Sequence, residues 1–139
     1  MTHQHTSVRA YGILVLENRV VLVRASNPVN NKPVWWLPGG GVNFAESPEE
    51  AMTREFEEET GLLIAQPELV DVLSDVRRRP NGDKIHSVRV IYRVHLVGGQ
   101  LRDEQEGSTD MARWFALDAL GEVNLAQYTR HALSEELAK

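Results

Sequence analysis

The sequence predicts a single α/β (α+β) domain, mostly of strands, with one helix whose ends are clearly marked. The chain has 139 residues, which is the usual length of one domain. Short runs rich in valine and isoleucine, separated by turn signals, predict strands. The segment between Ser47 and Gly61 carries both start and stop signals of a helix. We expect residues 1–139 to form one domain, with the polar residues 1–7 flexible.

The predicted strands lie on both sides of this helix. Before it come the runs 8–16, 20–24 and 34–37, with a loop at 27–33. After it come the runs 69–79, 85–97 and 111–115. Asn81-Gly82 is typical of a tight turn between two of these strands. A helical turn at 117–120 and a final helix at 124–137 complete the prediction.

The helix between Ser47 and Gly61 has ends that are specified by side-chain chemistry. Ser47 is a typical N-cap, Pro48 occupies the first helical position, and Glu50 completes a capping box. Gly61 suits the left-handed position that follows many helices. The phase of the helix is therefore predicted as well as its existence.

One face of this helix carries a group of carboxylates. At about 100° per residue, Glu55, Glu58 and Glu59 fall on one arc. The arc beside it, expected to face the core, consists of Met52, Phe56 and Leu63. The like charges repel each other, and a hard cation such as Mg²⁺ or Mn²⁺ would remove that conflict. Arg54 lies four residues before Glu58, so we expect these two to pair.

Charge and composition exclude several classes of protein. The net charge is −5 and the largest basic cluster is residues 77–79, which argues against binding long nucleic acid through a basic surface. No apolar run could span a bilayer, no signal peptide is recognisable, and the chain has no cysteine. We therefore expect a cytoplasmic location and no membrane partner. A phosphate ligand stays compatible with an acidic chain if a divalent metal supplies positive charge.

The segment from Gly40 to Leu62 resembles a complete Nudix box, the pattern G-x5-E-x7-R-E-U-x-E-E-x-G-U in which U is apolar. Gly40 is followed after five residues by Glu46 and after seven more by Arg54-Glu55-Phe56-Glu57-Glu58-Glu59-Thr60-Gly61-Leu62. Every defining position matches. The order of the flanking strands also resembles the Nudix hydrolases, so the likeness covers nearly the whole chain.

This resemblance implies a hydrolase of nucleoside diphosphates linked to another moiety. The implied fold is an α/β/α sandwich around a mixed β-sheet, with Gly40 to Leu62 as a loop–helix–loop motif. The implied metal ligands for Mg²⁺ or Mn²⁺ are Glu55, Glu58, Glu59 and the carbonyl of Gly39 or Gly40. The resemblance also implies that Glu46 supports the loop or the metal shell, and that Arg54 orients the carboxylates.

The resemblance implies a general base that is either a carboxylate of the box or a glutamate of a later loop. In the acidic loop 103–110, Glu104 and Glu106 are the candidates for this role. Substrate contacts are expected from Arg24, Trp35 and Arg89, because arginine binds phosphate and aromatic rings stack on bases. The expected partner is a small nucleotide-type diphosphate.

Two alternatives stay open from the sequence. The first is that the chain is a Nudix-fold binding or regulatory module without turnover. The cluster of like-charged carboxylates favours the hydrolase, because a module that only binds its ligand gains nothing from such a cluster. Many members of the family dimerise, so a homodimer is also open, although no exposed apolar stripe requires one.

Overall fold

The computed structural model describes residues 1–26 and 32–139, and within them eight strands form two sheets. The strands are β1 (Gln4–Ile13), β2 (Val15–Leu16), β3 (Arg19–Ala25), β4 (Trp35–Trp36), β5 (Gly39–Gly41), β6 (Leu62–Arg78), β7 (Lys84–Gly99) and β8 (Thr109–Ala116). The helices are α1 (Pro48–Thr60), a 3-10 helix (Leu117–Glu122) and α2 (Gln127–Leu137). Most of the loop predicted at 27–33 lies outside the described residues.

The first sheet has the order β5-β1-β7-β6 and is mixed. Strand β1 runs parallel to β7 and antiparallel to β5, while β6 and β7 form a long antiparallel pair. In the second sheet, β3 pairs antiparallel with β2, β4 and β8. The parallel pairing of β1 with β7 places the first strand of the chain beside a long strand that follows α1.

Successive side chains of β1 enter two different cores. Ala10 packs with Met52 and Phe56 of α1. Ile13 packs with Leu133 of α2. Because neighbouring residues of a strand point to opposite faces, the two helices cover opposite faces of the sheet. The predicted α/β/α sandwich around a mixed sheet is confirmed.

Two strands, β1 and β6, begin several residues before the predicted start. Strand β1 begins at Gln4, and residues 4–7 pair with residues 84–87 of β7, so the expected flexible segment 1–7 is corrected at these positions. Strand β6 begins at Leu62 directly after α1, not at Leu69. Its register against β7 shifts between Ala65 and Glu68, where Gln66 has φ of 54°. Such a bulge lets a strand continue past a proline, here Pro67.

The start of β6 also corrects one predicted core residue. Leu63 is 42% exposed, whereas Leu62 is buried. The helical wheel does not apply beyond Gly61, where α1 ends, and the alternation of the strand places Leu62 inward.

The last helix begins three residues later than predicted, at Gln127. The backbone just before it bonds to β4: Trp35 donates its N–H to the carbonyl of Asn124, and Ala126 donates to the carbonyl of Trp35. No described helix is long and apolar enough to cross a membrane. The cytoplasmic location and the homodimer stay predictions.

Candidate active site

The capping groups of α1 hold the predicted box helix in a fixed phase. The Ser47 hydroxyl accepts a bond of 3.1 Å from the backbone N–H of Glu50, and the Glu50 carboxylate accepts one of 3.0 Å from the N–H of Ser47. Gly61 has φ of 77°, the left-handed conformation expected after a helix. The helix bounds that were predicted from the sequence are confirmed, and the carboxylates project from a well-defined surface.

Strand β5 consists only of glycine, and the carboxylates of α1 lie directly against its backbone. The N–H of Gly39 donates a hydrogen bond of 2.7 Å to Oε1 of Glu59. A Cβ at Gly40 would lie 2.9 Å from the carboxyl carbon of Glu55. Because Gly40 has no side chain, it leaves the space that the Glu55 carboxylate occupies, while the backbone N–H of Gly39 binds Glu59.

Arg54 joins the loop to the helix. Its Nε and Nη2 donate to Oε2 and Oε1 of Glu46 at 2.8 and 2.9 Å, and its Nη1 donates to Glu55 at 2.8 Å. Nη2 also reaches the carbonyl of Gly41 at 3.2 Å. The expected pairing with Glu58 is only a loose contact of 3.8 Å. Arg54 therefore acts mainly on Glu46 and Glu55, and its guanidinium lowers the pKa of Glu46 to about 2.

The three predicted metal ligands differ strongly in burial. Glu59 is 1% exposed, and its Oε2 has no hydrogen-bond partner among the described residues. Burial raises the pKa of Glu59 well above its ordinary value, against the bond from Gly39. Burial also raises the pKa of Glu55, opposed by Arg54. The side chain of Glu58 is 50% exposed.

This arrangement fits a hard divalent cation. A buried carboxylate oxygen without a partner is costly, and a cation would supply the missing interaction. The available donors are carboxylate oxygens of Glu55, Glu58 and Glu59, which Mg²⁺ and Mn²⁺ prefer. The donor chemistry therefore matches the metals that were predicted from the sequence.

A second group of potential metal ligands lies away from the box. Ligand atoms of Asp71, His131 and Glu135 lie within 4.8 Å of one another, between β6 and α2. His131 and Glu135 are exposed, and their own contact is 3.4 Å. None of these three residues is one of the predicted ligands Glu55, Glu58 and Glu59.

The structure separates the two candidates in the acidic loop. The carboxylate of Glu104 accepts a bond of 2.9 Å from the hydroxyl of Thr109. The charge of Glu104 contributes to the raised pKa of both Glu55 and Glu59, so it lies on the box side of the loop. Glu106 is exposed and has φ of 60°.

The three predicted substrate contacts lie in different surroundings. Arg24 donates two hydrogen bonds to Asp110, at 2.8 and 3.0 Å. Trp35 packs edge-on against Phe115 at 4.8 Å between ring centroids. Arg89 lines a cleft on the face of the first sheet opposite α1.

That cleft contains residues that were not predicted from the sequence to belong to a site. It has a volume of about 330 Å³, and we call it the arginine cleft; its polar and aromatic lining includes His5, Arg9, Trp36, Arg77, Arg79 and Arg89. The sequence contains one local signal of this cleft, which is that polar residues at every second position of a strand share one face. His5 and Arg9 lie on one face of β1, and Arg89 is the partner of Arg9 on β7. The parallel pairing that brings them together could not be read from the sequence.

Comparisons with known proteins identify the family of this chain. The family model NUDIX domain matches residues 5–135. A Methanocaldococcus jannaschii protein named ADP-ribose pyrophosphatase is 36% identical over 99 residues, which are 70% of this chain and 56% of that protein. An Erythrobacter litoralis protein named RNA pyrophosphohydrolase is 30% identical over 135 residues, 96% of this chain and 76% of that protein.

The solved structures include a close match in fold. The crystal structure of a MutT NUDIX hydrolase from Burkholderia pseudomallei superposes with a TM-score of 0.79 at 31% identity, covering 94% of this chain and 97% of that one. The resemblance found in the sequence is confirmed, and the names of these relatives agree with the predicted class of enzyme. The chain belongs to the NUDIX domain family.

Proposed function

We propose that this chain hydrolyses the diphosphate linkage of a small nucleoside diphosphate derivative, using Mg²⁺ or Mn²⁺ held by Glu55, Glu58 and Glu59. The observation that carries the proposal is the buried Glu59 carboxylate, which lies beside the glycine strand and has one oxygen without a hydrogen-bond partner in the described part of the chain. ADP-ribose is the first substrate to test, because the archaeal relative is named an ADP-ribose pyrophosphatase.

The residues of the site divide the work. A divalent ion bound there would neutralise phosphate charge and lower the pKa of a bound water. Arg54 holds Glu55 in place through a bond of 2.8 Å. The bond from Gly39 fixes the carboxylate of Glu59 in one orientation. These contacts pre-organise the carboxylates before the substrate binds.

Proton removal from the attacking water requires a carboxylate near the box. Glu104 is the better candidate of the acidic loop, since its charge contributes to the raised pKa of Glu55 and of Glu59. Its bond from Thr109 orients it. In this proposal Glu104 accepts the proton as the water oxygen attacks phosphorus, and the bond to the leaving phosphate breaks.

The test is the hydrolysis of ADP-ribose, nucleoside triphosphates, dinucleotides and nucleotide sugars with Mg²⁺ or Mn²⁺ present. We expect Glu58→Gln and Glu59→Gln to lower kcat by about 10² or more while the fold is kept. Glu57→Gln is the matched control, because Glu57 is exposed on the same helix. Near-normal rates in both variants would remove the assigned roles.

Metal removal gives an independent check. EDTA should abolish turnover, and Mg²⁺ or Mn²⁺ should restore it. If the compounds bind but none is hydrolysed with metal present, the chain is a Nudix-fold binding module and the hydrolase proposal fails.

A further inference from the structure

The arginine cleft concentrates positive charge in an acidic protein. The chain has a net charge of −5, yet Arg9, Arg77, Arg79 and Arg89 line one space of about 330 Å³. They come from β1, from β7 and from the end of β6 with the residue that follows it, so the fold and not the local sequence brings them together. A surface that gathers like charges from three segments is costly unless an anion binds there.

Most of this charge is not neutralised by the protein. Arg89 pairs with Asp75 and lies 4.4 Å from the ring centroid of Tyr128, but its Nε is buried without a hydrogen-bond partner among the described residues. Within residues 1–26 and 32–139, no carboxylate forms an ion pair with Arg77 or Arg79. Residues 27–31, which the structure does not describe, include no acidic residue.

Arg9 likewise bonds to a neutral group. Its Nε donates to the hydroxyl of Tyr11 at 2.7 Å. Of the four guanidinium groups in the cleft, only that of Arg89 therefore has a carboxylate partner in the described part of the chain. The cleft has a net positive charge and several N–H donors available to a ligand.

One end of the cleft adjoins the box. Arg9 is the partner of Gly41 across β1 and β5, and the carbonyl of Gly41 accepts a bond from Arg54. Arg77 lies toward the other end, opposite Ile85, whose partner on β1 is His5. His5 is four positions from Arg9, which is roughly 13 Å along a strand at about 3.3 Å per residue.

We infer that the arginine cleft binds a second anionic group of the substrate, a phosphate monoester on the part of the molecule remote from the diphosphate. The inference rests on the proposed function, because it assumes that the diphosphate lies at the box. A phosphate monoester carries up to two charges and three terminal oxygens, which match the forked N–H donors of arginine. A neutral sugar or base would leave Arg77 and Arg79 without a partner.

The test compares two substrates that differ by one phosphate, ADP-ribose and ADP-ribose 2′-phosphate. We expect the wild type to favour the phosphorylated compound by about tenfold or more in kcat/KM. In the double variant Arg77→Gln/Arg79→Gln this ratio should fall toward one. Arg78→Gln is the matched control and should keep the wild-type ratio. Arg78 lies between Arg77 and Arg79 in the chain but does not line the cleft, because successive side chains of a strand point to opposite faces.

A binding measurement separates failure of this inference from failure of the proposed function. Calorimetry without catalysis compares 2′,5′-ADP with 5′-AMP, and the compound with the second phosphate should bind about tenfold or more tightly to the wild type but not to the double variant. If none of the compounds tested for hydrolysis is turned over, the proposed function fails, and calorimetry still tests whether the cleft binds a second phosphate.

Three results would overturn the inference. Equal kcat/KM and equal affinity for the paired compounds would show that the cleft does not bind a second phosphate. A preference that persists in Arg77→Gln/Arg79→Gln would assign it to other residues. The third result uses a 5′-triphosphorylated dinucleotide, assayed beside the ADP-ribose pair. If only the use of this compound depends on Arg77 and Arg79, the anion in the cleft is a phosphodiester of RNA and not a monoester.

Discussion

The three glycines of β5 are adjacent, yet their surroundings differ enough to predict three different outcomes on substitution. At Gly39, φ is 149° and a Cβ would lie 2.1 Å from the carbonyl oxygen of Ala10. Gly39→Ala should therefore lower the free energy of unfolding by about 2 kcal/mol or more. At Gly40 the added Cβ would meet the carboxyl group of Glu55, so Gly40→Ala should lower kcat by about 10²-fold through displacement of that group.

Gly41→Ala is the control for stability in this series. Apart from its chain neighbours, no described residue has an atom within 4 Å of the added Cβ, so the free energy of unfolding should change by less than about 0.5 kcal/mol. Denaturant unfolding and turnover of the three variants check the order. Equal destabilisation at Gly39 and Gly41 would contradict the close approach of β5 to β1.

The residue scale also shows where local reasoning stops. The box pattern predicted which carboxylates share a face of α1, because helical periodicity is a local property. It predicted Arg54 beside Glu58 for the same reason. The stronger partner is Glu46, eight residues upstream and outside the helix. That contact depends on the path of the loop back toward the helix, which spacing alone does not give.

At the scale of elements, a bulge in β8 joins two strands through an ion pair. Arg24 of β3 pairs with Met111 and Ala25 with Thr109, so Asp110 is an extra residue between them. Its carboxylate accepts both bonds from Arg24. This guanidinium lowers the pKa of Asp110 below its ordinary value.

A pH dependence of stability follows from this pair. A carboxyl group whose pKa is lower in the folded state stabilises the fold above its unfolded pKa of about 3.9, and this contribution is lost as the pH falls through the folded pKa. Asp110→Asn should therefore be less stable than the wild type at pH 7. The difference in unfolding free energy should shrink below about pH 4 and vanish at the acid end.

Denaturant unfolding of both proteins from pH 2 to pH 7 measures that difference. Other carboxylates titrate in both chains, so the comparison isolates the pair. A difference that is independent of pH would show that Asp110 acts through packing or its backbone and not through its charge.

Elements were predicted better than their ends. The run 69–79 identified the outer part of β6 but not its first residues, 62–68, which include Pro67. The structure keeps the strand by a bulge near Gln66. A proline is tolerated in an edge strand or at a bulge but not in a central strand, and β6 is an edge strand. That position is a property of the topology.

At the scale of the whole molecule, the sequence predicted the sandwich and the box but not the arginine cleft. The residues of the box lie within a single segment and are recognisable as one pattern. Arg9 and Arg89 are 80 positions apart and become neighbours only through the parallel pairing of β1 with β7. The periodicity of a sequence can reveal a site on one helix, but it cannot reveal a site that is assembled from separate strands.

Metal binding should change the stability of the whole domain. A ligand that binds only the folded state adds about 2.7 kcal/mol at a concentration 100 times its Kd. We expect Mg²⁺ or Mn²⁺ to raise the thermal midpoint of the wild type in a concentration-dependent way. The variant Glu55→Gln/Glu59→Gln should lose most of this rise, because it lacks two of the proposed ligands.

His131→Ala is the matched control for that experiment. It removes one member of the separate group with Asp71 and Glu135, which could hold a metal by its residue types alone. The rise should persist in this variant, since Glu55 and Glu59 are unchanged. If the rise disappears in His131→Ala and persists in Glu55→Gln/Glu59→Gln, the stabilising ion binds between β6 and α2, and the metal assignment at the box is wrong. Scanning calorimetry of the three proteins across one metal series distinguishes these outcomes.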